Sequence, residues 1–129
     1  MAKILVVDDD TDIRTLVETR LRRLGHRVVS AGSGEEALAL ITEKGAPELV
    51  VLDVLMPGMS GLELLSTIRQ DPDLRRVPAV FLSGRVLESD IEAGRALDAT
   101  YLTKPLVLSA LASAVDRALD AEAVSTGTW

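Results

Sequence analysis

The stretch Lys3-Ile4-Leu5-Val6-Val7-Asp8-Asp9-Asp10 decides how the rest of the chain is read. A short apolar run meets three carboxylates with no spacer. Such a run is too brief for a buried helix and long enough for a strand covered on both faces. Carboxylates need water, a metal or a cation. The pattern therefore predicts a strand in mid-sheet that delivers Asp8 and Asp9 at its carboxyl end. In open parallel α/β sheets ligands bind at that edge. Each later segment can then be asked what it adds there.

Working outward, Asp10 or Thr11 can cap a helix. Ile13, Leu16, Val17, Leu21 and Leu24 carry it at helical spacing and Gly25 stops it. Residues 27–31 read as a second strand. Ser33 with Glu36 forms a capping box for a helix to Glu43, and Gly45-Ala46-Pro47 breaks it. Residues 48–52 are a third strand that runs into Asp53. Met56-Pro57-Gly58-Met59 is a loop, and Ser60 with Glu63 opens a helix to about Arg69. Residues 78–82 form a fourth strand ending at Ser83-Gly84. A more polar helix follows over 87–96. Residues 100–103 are a short fifth strand before Lys104-Pro105, and Leu108, Leu111, Val115 and Leu119 mark a last helix. The domain is expected over 1–120, with 121–129 a short polar tail.

Strict β-α alternation implies a doubly wound parallel sheet with helices on both faces. Strands 1, 3 and 4 are continuously apolar and belong inside; strands 2 and 5 are mixed and belong at the edges. The order 2-1-3-4-5 satisfies this, and its switch point lies between strands 1 and 3. Asp8, Asp9 and Asp53 all arrive there.

The composition narrows the partners. The 129 residues suffice for one domain with a core. Only 2% are aromatic, so aliphatic side chains must fill that core. A net charge of −6 argues against direct nucleic-acid binding. The absence of cysteine excludes disulfides, thiolate zinc sites and thiol nucleophiles. No apolar run nears the ~18 residues of a membrane span and no signal peptide is evident, so a cytoplasmic protein without membrane contact is expected.

Carboxylates gathered at one edge repel each other unless something offsets their charge. Mg²⁺ suits such a site, since it takes hard oxygens from one or two carboxylates and expects a phosphate. Ser83 adds a hydroxyl and Lys104 a mobile point charge, both good phosphate contacts. Singly, these are ordinary features: a solvated acid cluster, a Ser-Gly turn, a lysine guarding an edge. Their joint arrival at successive strand ends carries the reading. A carboxylate can accept a phosphoryl group as an acyl phosphate, given in-line positioning, Mg²⁺ and a cation for the equatorial oxygens.

On these residues the chain resembles the receiver domains of bacterial response regulators, with the flavodoxin/CheY-like (βα)5 fold. The likeness rests on Asp8-Asp9, Asp53 followed by Met56-Pro57-Gly58, Ser83, Tyr101 and Lys104-Pro105. It implies a two-component phosphorelay switch rather than an enzyme. By resemblance Asp53 is the phosphoacceptor. Asp9 binds Mg²⁺ directly, Asp8 through water, and the Leu55 carbonyl supplies a further ligand. Lys104 pairs with Asp53 and then with the phosphoryl group, Ser83 swings in to bond a phosphoryl oxygen, and Tyr101 turns inward. The Lys104-Pro105 bond is expected to be cis. The implied partners are a histidine kinase or phosphotransfer protein, and an effector protein meeting the fourth helix, fifth strand and last helix. Leu55 and Arg85 flank the route of the attacking water. The turn 96–100 lacks a glycine, and the set of charged residues by which one DNA-binding subfamily dimerises is missing.

Three rival readings compete. Gly32-Ser33-Gly34-Glu35-Glu36-Ala37 matches a dinucleotide-binding fingerprint with Asp53 downstream, but its glutamates sit where a pyrophosphate would approach, and Asp8, Asp9, Ser83 and Lys104 go unused. Asp8, Asp10 and Asp12 open like a calcium loop, but Ile13 and Thr19 stand where Gly and Glu are needed. A receiver-like module that no longer accepts phosphate, acting by constitutive protein interaction, is the third. His26, the only histidine, is expected on a surface turn far from the strand ends.

Overall fold

The computed structural model describes residues 2–83 and 99–126. Within them β1 (Lys3–Val7), α1 (Thr11–Arg23), β2 (Arg27–Ala31), α2 (Gly34–Lys44), β3 (Leu49–Asp53) and α3 (Gly61–Ile68) alternate. A short 3₁₀ turn (Pro72–Leu74), β4 (Ala79–Ser83), β5 (Thr100–Thr103) and a C-terminal helix (Leu108–Thr126) follow. All strand pairs are parallel, in the order β2-β1-β3-β4-β5. The helix expected over 87–96, with Gly84 and Arg85, lies outside the described residues.

Burial follows the sequence pattern. Every residue of β3 and β4 is buried, and so is β1 from Ile4 onward. β5 has no buried residue and β2 only Val28 and Ala31. Because side chains alternate across a strand, each interior strand feeds two cores. Leu5, Val7, Val50, Leu52 and Phe81 pack on one face against Leu64, Leu65 and Ile68 of α3. Ile4, Val6, Leu49, Val51 and Leu82 pack on the other against Val17 and Leu21 of α1 and Leu111 and Val115 of the C-terminal helix. Each such aliphatic burial contributes about 1.5–3 kcal/mol, and among the described residues Phe81 is the one fully buried aromatic.

The caps differ in detail. Asp10 caps α1, accepting from the amides of Asp12 and Ile13. Ser60 and Glu63 form the expected reciprocal box on α3. At α2 only half of the expected box forms: Ser33 accepts from the Glu36 amide, but the Glu36 carboxylate turns to the amide of Gly32 instead. β3 and β4 each run one residue past their predicted ends, so Asp53 and Ser83 are strand residues fixed by the ladder. The C-terminal helix continues to Thr126, into the stretch read as a tail. Ala121 and Ala123 have the highest helix propensity, which favours that extension. His26 is half-buried rather than a free surface turn, its Nδ1 accepting from the Ala2 amide at 3.1 Å.

Candidate functional site

Parallel register brings the ends of β1, β3, β4 and β5 to one edge. Val7 pairs with Leu52, Asp53 with Leu82, and Ser83 with Thr103. Asp8, one residue beyond β1, donates its amide to the Ala31 carbonyl at 3.1 Å and so extends the ladder. Asp8, Asp53 and Ser83 are the buried polar residues of the described chain, at 1%, 6% and 1% exposure. Polar burial at this edge alone marks it as the place where function overrides packing.

The carboxylate oxygens of Asp8, Asp9 and Asp53 lie within 4.8 Å of one another, with Asp9 exposed and the others buried. Lys104 Nζ closes the set, 3.2 Å from Asp8 Oδ2 and 3.3 Å from Asp53 Oδ2. One ammonium thus faces two buried carboxylates, leaving an uncompensated negative charge. Convergent hard oxygens with excess negative charge can hold a divalent metal.

The electrostatics show the same imbalance. Burial, and then repulsion by Asp8, push the Asp53 carboxyl above its ordinary range. Lys104 and the Leu55 amide, which donates to Asp53 Oδ1 at 3.2 Å, draw it back without cancelling the rise. At Lys104 burial opposes the charge, but Asp53 and Asp8 outweigh it and hold the ammonium above its ordinary range.

The remaining expected residues fall as follows. Ser83 ends β4, and its carbonyl accepts the Lys104 amide at 2.8 Å, so hydroxyl-bearing and lysine-bearing segments are joined. Lys104-Pro105 is cis. Leu55, whose amide donates to Asp53 Oδ1, is 54% exposed. Tyr101 is half-buried on β5, its ring stacked on Phe81 at 5.1 Å between centroids.

Four further residues shape the site without having been singled out for it. Arg14 donates from Nη1 to the Asp8 carbonyl at 2.8 Å. Gly61 starts α3 against the end of β3, where a Cβ would run into the Asp53 carbonyl oxygen and lie 2.9 Å from its carbon. A glycine in the first turn of a helix costs propensity, and that cost was the available signal. Gly32 and Gly34 clear space for Arg14 and Met59, whose nearest atoms would stand 2.9 Å and 2.7 Å from an added Cβ. The G-x-G pattern is thereby explained by packing against Arg14 of α1 and Met59, not by a dinucleotide.

An open α/β sheet with acids, a hydroxyl and a lysine converging beside its switch point belongs to the class of phosphate-handling signalling folds. The family model for the response regulator receiver domain matches residues 4–116, and the chain belongs to that family. The chemotaxis protein CheY4 of Vibrio cholerae has a similar structure, with a TM-score of 0.85 and 33% identity over 92% of this chain and 99% of that one. The transcriptional regulatory protein AfsQ1 of Streptomyces coelicolor is 38% identical, covering 100% of this chain and 57% of its own length. The alkaline phosphatase synthesis transcriptional regulatory protein PhoP of Bacillus subtilis is 43% identical over 80% of this chain and 42% of its own. The chain therefore spans about half the length of these two regulators. It is a receiver domain of a signalling response regulator, and no helix among its described residues is long and apolar enough to cross a membrane.

Proposed function

We propose that this domain accepts a phosphoryl group on Asp53 from a phosphohistidine of a histidine kinase or phosphotransfer protein, and that the modification changes its binding to a partner. The observation that carries this is the triangle of Asp53, Asp8 and Lys104, with Asp9 beside it. A carboxylate oxygen of Asp53 forms the new bond to phosphorus as the bond from phosphorus to the donor nitrogen breaks. Lys104, already within hydrogen-bond reach of Asp53, receives the developing charge on the equatorial oxygens. Ser83, ending the adjacent strand, contributes its hydroxyl to a phosphoryl oxygen. Asp8, Asp9, Asp53 and the Leu55 carbonyl are the residues that hold Mg²⁺. When bound, the ion neutralises the acids and orients the phosphoryl oxygens.

The acyl phosphate adds negative charge where Lys104 already pairs with two carboxylates. Lys104 and Ser83 follow that charge, and Tyr101, on the strand that pairs with Ser83 through Thr103, follows them. Output passes to an effector protein through the face containing β5 and the C-terminal helix. The domain acts in the cytoplasm and promotes its own dephosphorylation by water. Two relatives are named as transcriptional regulatory proteins. With an excess of acid, this chain is itself a poor partner for a nucleic acid.

Acetyl phosphate with Mg²⁺ tests the reading. Intact mass spectrometry should find one added phosphoryl group, mapped to Asp53 and absent from Asp53→Asn. An unmodified wild-type chain under those conditions would mean that the module binds partners without phosphorylation.

A further inference from the structure

We propose that Arg14 is a positioning residue for the metal pocket and that Gly32 exists to give its guanidinium room; this rests on the reading of the acidic cluster as a Mg²⁺ site. Asp9 is the exposed member of that cluster. Its orientation depends on the peptide plane that joins it to Asp8, because Asp8 is locked on its other side. The Asp8 amide is bound to Ala31, and Asp8 Oδ1 accepts the Asp10 amide at 2.9 Å. The carbonyl of the Asp8–Asp9 peptide lies past the end of the β-ladder. Arg14 Nη1 takes that carbonyl at 2.8 Å from the first turns of α1. The Asp10 cap and the Arg14 amide bond to the Asp10 carbonyl, at 2.9 Å, fix that helix start in turn.

Gly32 supplies independent support. Its φ lies outside the left-handed region, so its lack of a side chain serves space rather than that conformation. An added Cβ would stand 2.9 Å from Arg14 Nη1. That atom is the tip of a flexible side chain, so alanine at 32 is accommodated by moving the guanidinium. The fold survives and the bond to the Asp8 carbonyl is lost. The helix face of α1 and the loop before α2 thus meet at one guanidinium that sets the metal-facing peptide.

Two effects of Arg14 oppose each other. Its charge repels an arriving cation, so removal on Coulombic grounds tightens Mg²⁺ binding. Its hydrogen bond organises the ligands, so removal weakens binding, in the manner of outer partners of metal ligands, which are worth about 10–100-fold in affinity. The geometry points to the second as dominant.

Mg²⁺ titrations of the full chain, followed by backbone amide shifts at Asp9 and Asp10, distinguish them. Arg14→Ala should raise the Mg²⁺ dissociation constant at least about tenfold, the lower end of the range for such partners. Arg14→Lys, which keeps charge and a donor, should recover part of it. Gly32→Ala should weaken binding on its own but add nothing to Arg14→Ala, since both remove one contact. Arg23→Ala, an exposed residue at the far end of the helix, should match the wild type. Binding by Arg14→Ala that is tighter than, or within twofold of, the wild type overturns the inference while leaving the metal site intact. Additive losses in the Gly32→Ala/Arg14→Ala pair overturn it as well. A wild-type chain that takes up no Mg²⁺ removes both the metal site and this role.

Discussion

Asp53 is held at a cost that its own pocket does not repay. Burial and Asp8 work against its charge, Lys104 and the Leu55 amide work for it, and the balance leaves its carboxyl raised. An acid whose affinity for protons is raised by folding contributes most to stability at low pH, and that contribution is lost as pH climbs from its ordinary range through its raised one. Lys104, also raised, supports the fold throughout that window and loses its effect only above its ordinary 10.5. In metal-free buffer near neutrality, Asp53→Asn should therefore melt higher than the wild type, by about 2–6 °C if the relief is about 1 kcal/mol. The gap should close as the pH is lowered into the carboxylate range. A variant that melts lower by calorimetry would mean that the pair with Lys104 outweighs burial and repulsion together. The acids and the lysine were legible in the sequence because apolar runs end in them. Arg14 was not, because its role depends on where the Asp8 carbonyl points, and no residue pattern reports a peptide plane.

At the level of elements, the start of α3 sets where Asp53 ends. Ser60 and Glu63 cap the helix and Gly61 lays it against the β3 backbone, donating its amide to Val54 at 2.9 Å. Propensity alone favours Gly61→Ala by about 1 kcal/mol. The added Cβ would meet backbone of Asp53 and Val54, which cannot rotate aside, and overpacking of that kind costs about 1–3 kcal/mol. Gly61→Ala should lower the urea midpoint and slow phosphorylation of Asp53, whereas Gly32→Ala should leave the midpoint within error. Equal midpoints for both would mean that α3 can slide. Element existence and type were readable from apolar spacing and N-cap residues. What could not be read was the partner chosen by Glu36, since a glutamate after a serine cap reaches two neighbouring amides equally well. The last residue of β3 and β4 escaped for a related reason: Asp53 and Ser83 have poor strand propensity, and tertiary pairing overrides it.

Across the whole molecule, a signal written at Asp53 has few ways out. β1, β3 and β4 are packed on both faces, and close-packed interiors shift between discrete arrangements rather than deform smoothly. β5 is the exception: no residue of it is buried, and the Lys104 amide ties its end to the Ser83 carbonyl. The strand order that exposes β5 was predictable from its mixed polarity, and on the proposed function it places the site and the output face at one sheet edge. Hydrogen exchange of the wild type with Mg²⁺ and beryllofluoride, a phosphoryl mimic, should thus show slowing in the loop after β1, the loop after β3 and in β5. A slowing of about tenfold corresponds to about 1.4 kcal/mol of local stabilisation. Peptides from the centres of β1 and β3, which open only with the whole domain, should slow by the linkage that any bound ligand supplies, so they report occupancy rather than switching. Asp53→Asn should show none of these changes. Slowing confined to the two acidic loops, with β5 unaltered, would separate ligand binding from switching. A change spread evenly over all strands would mean that the ligand merely stabilises the fold as a unit.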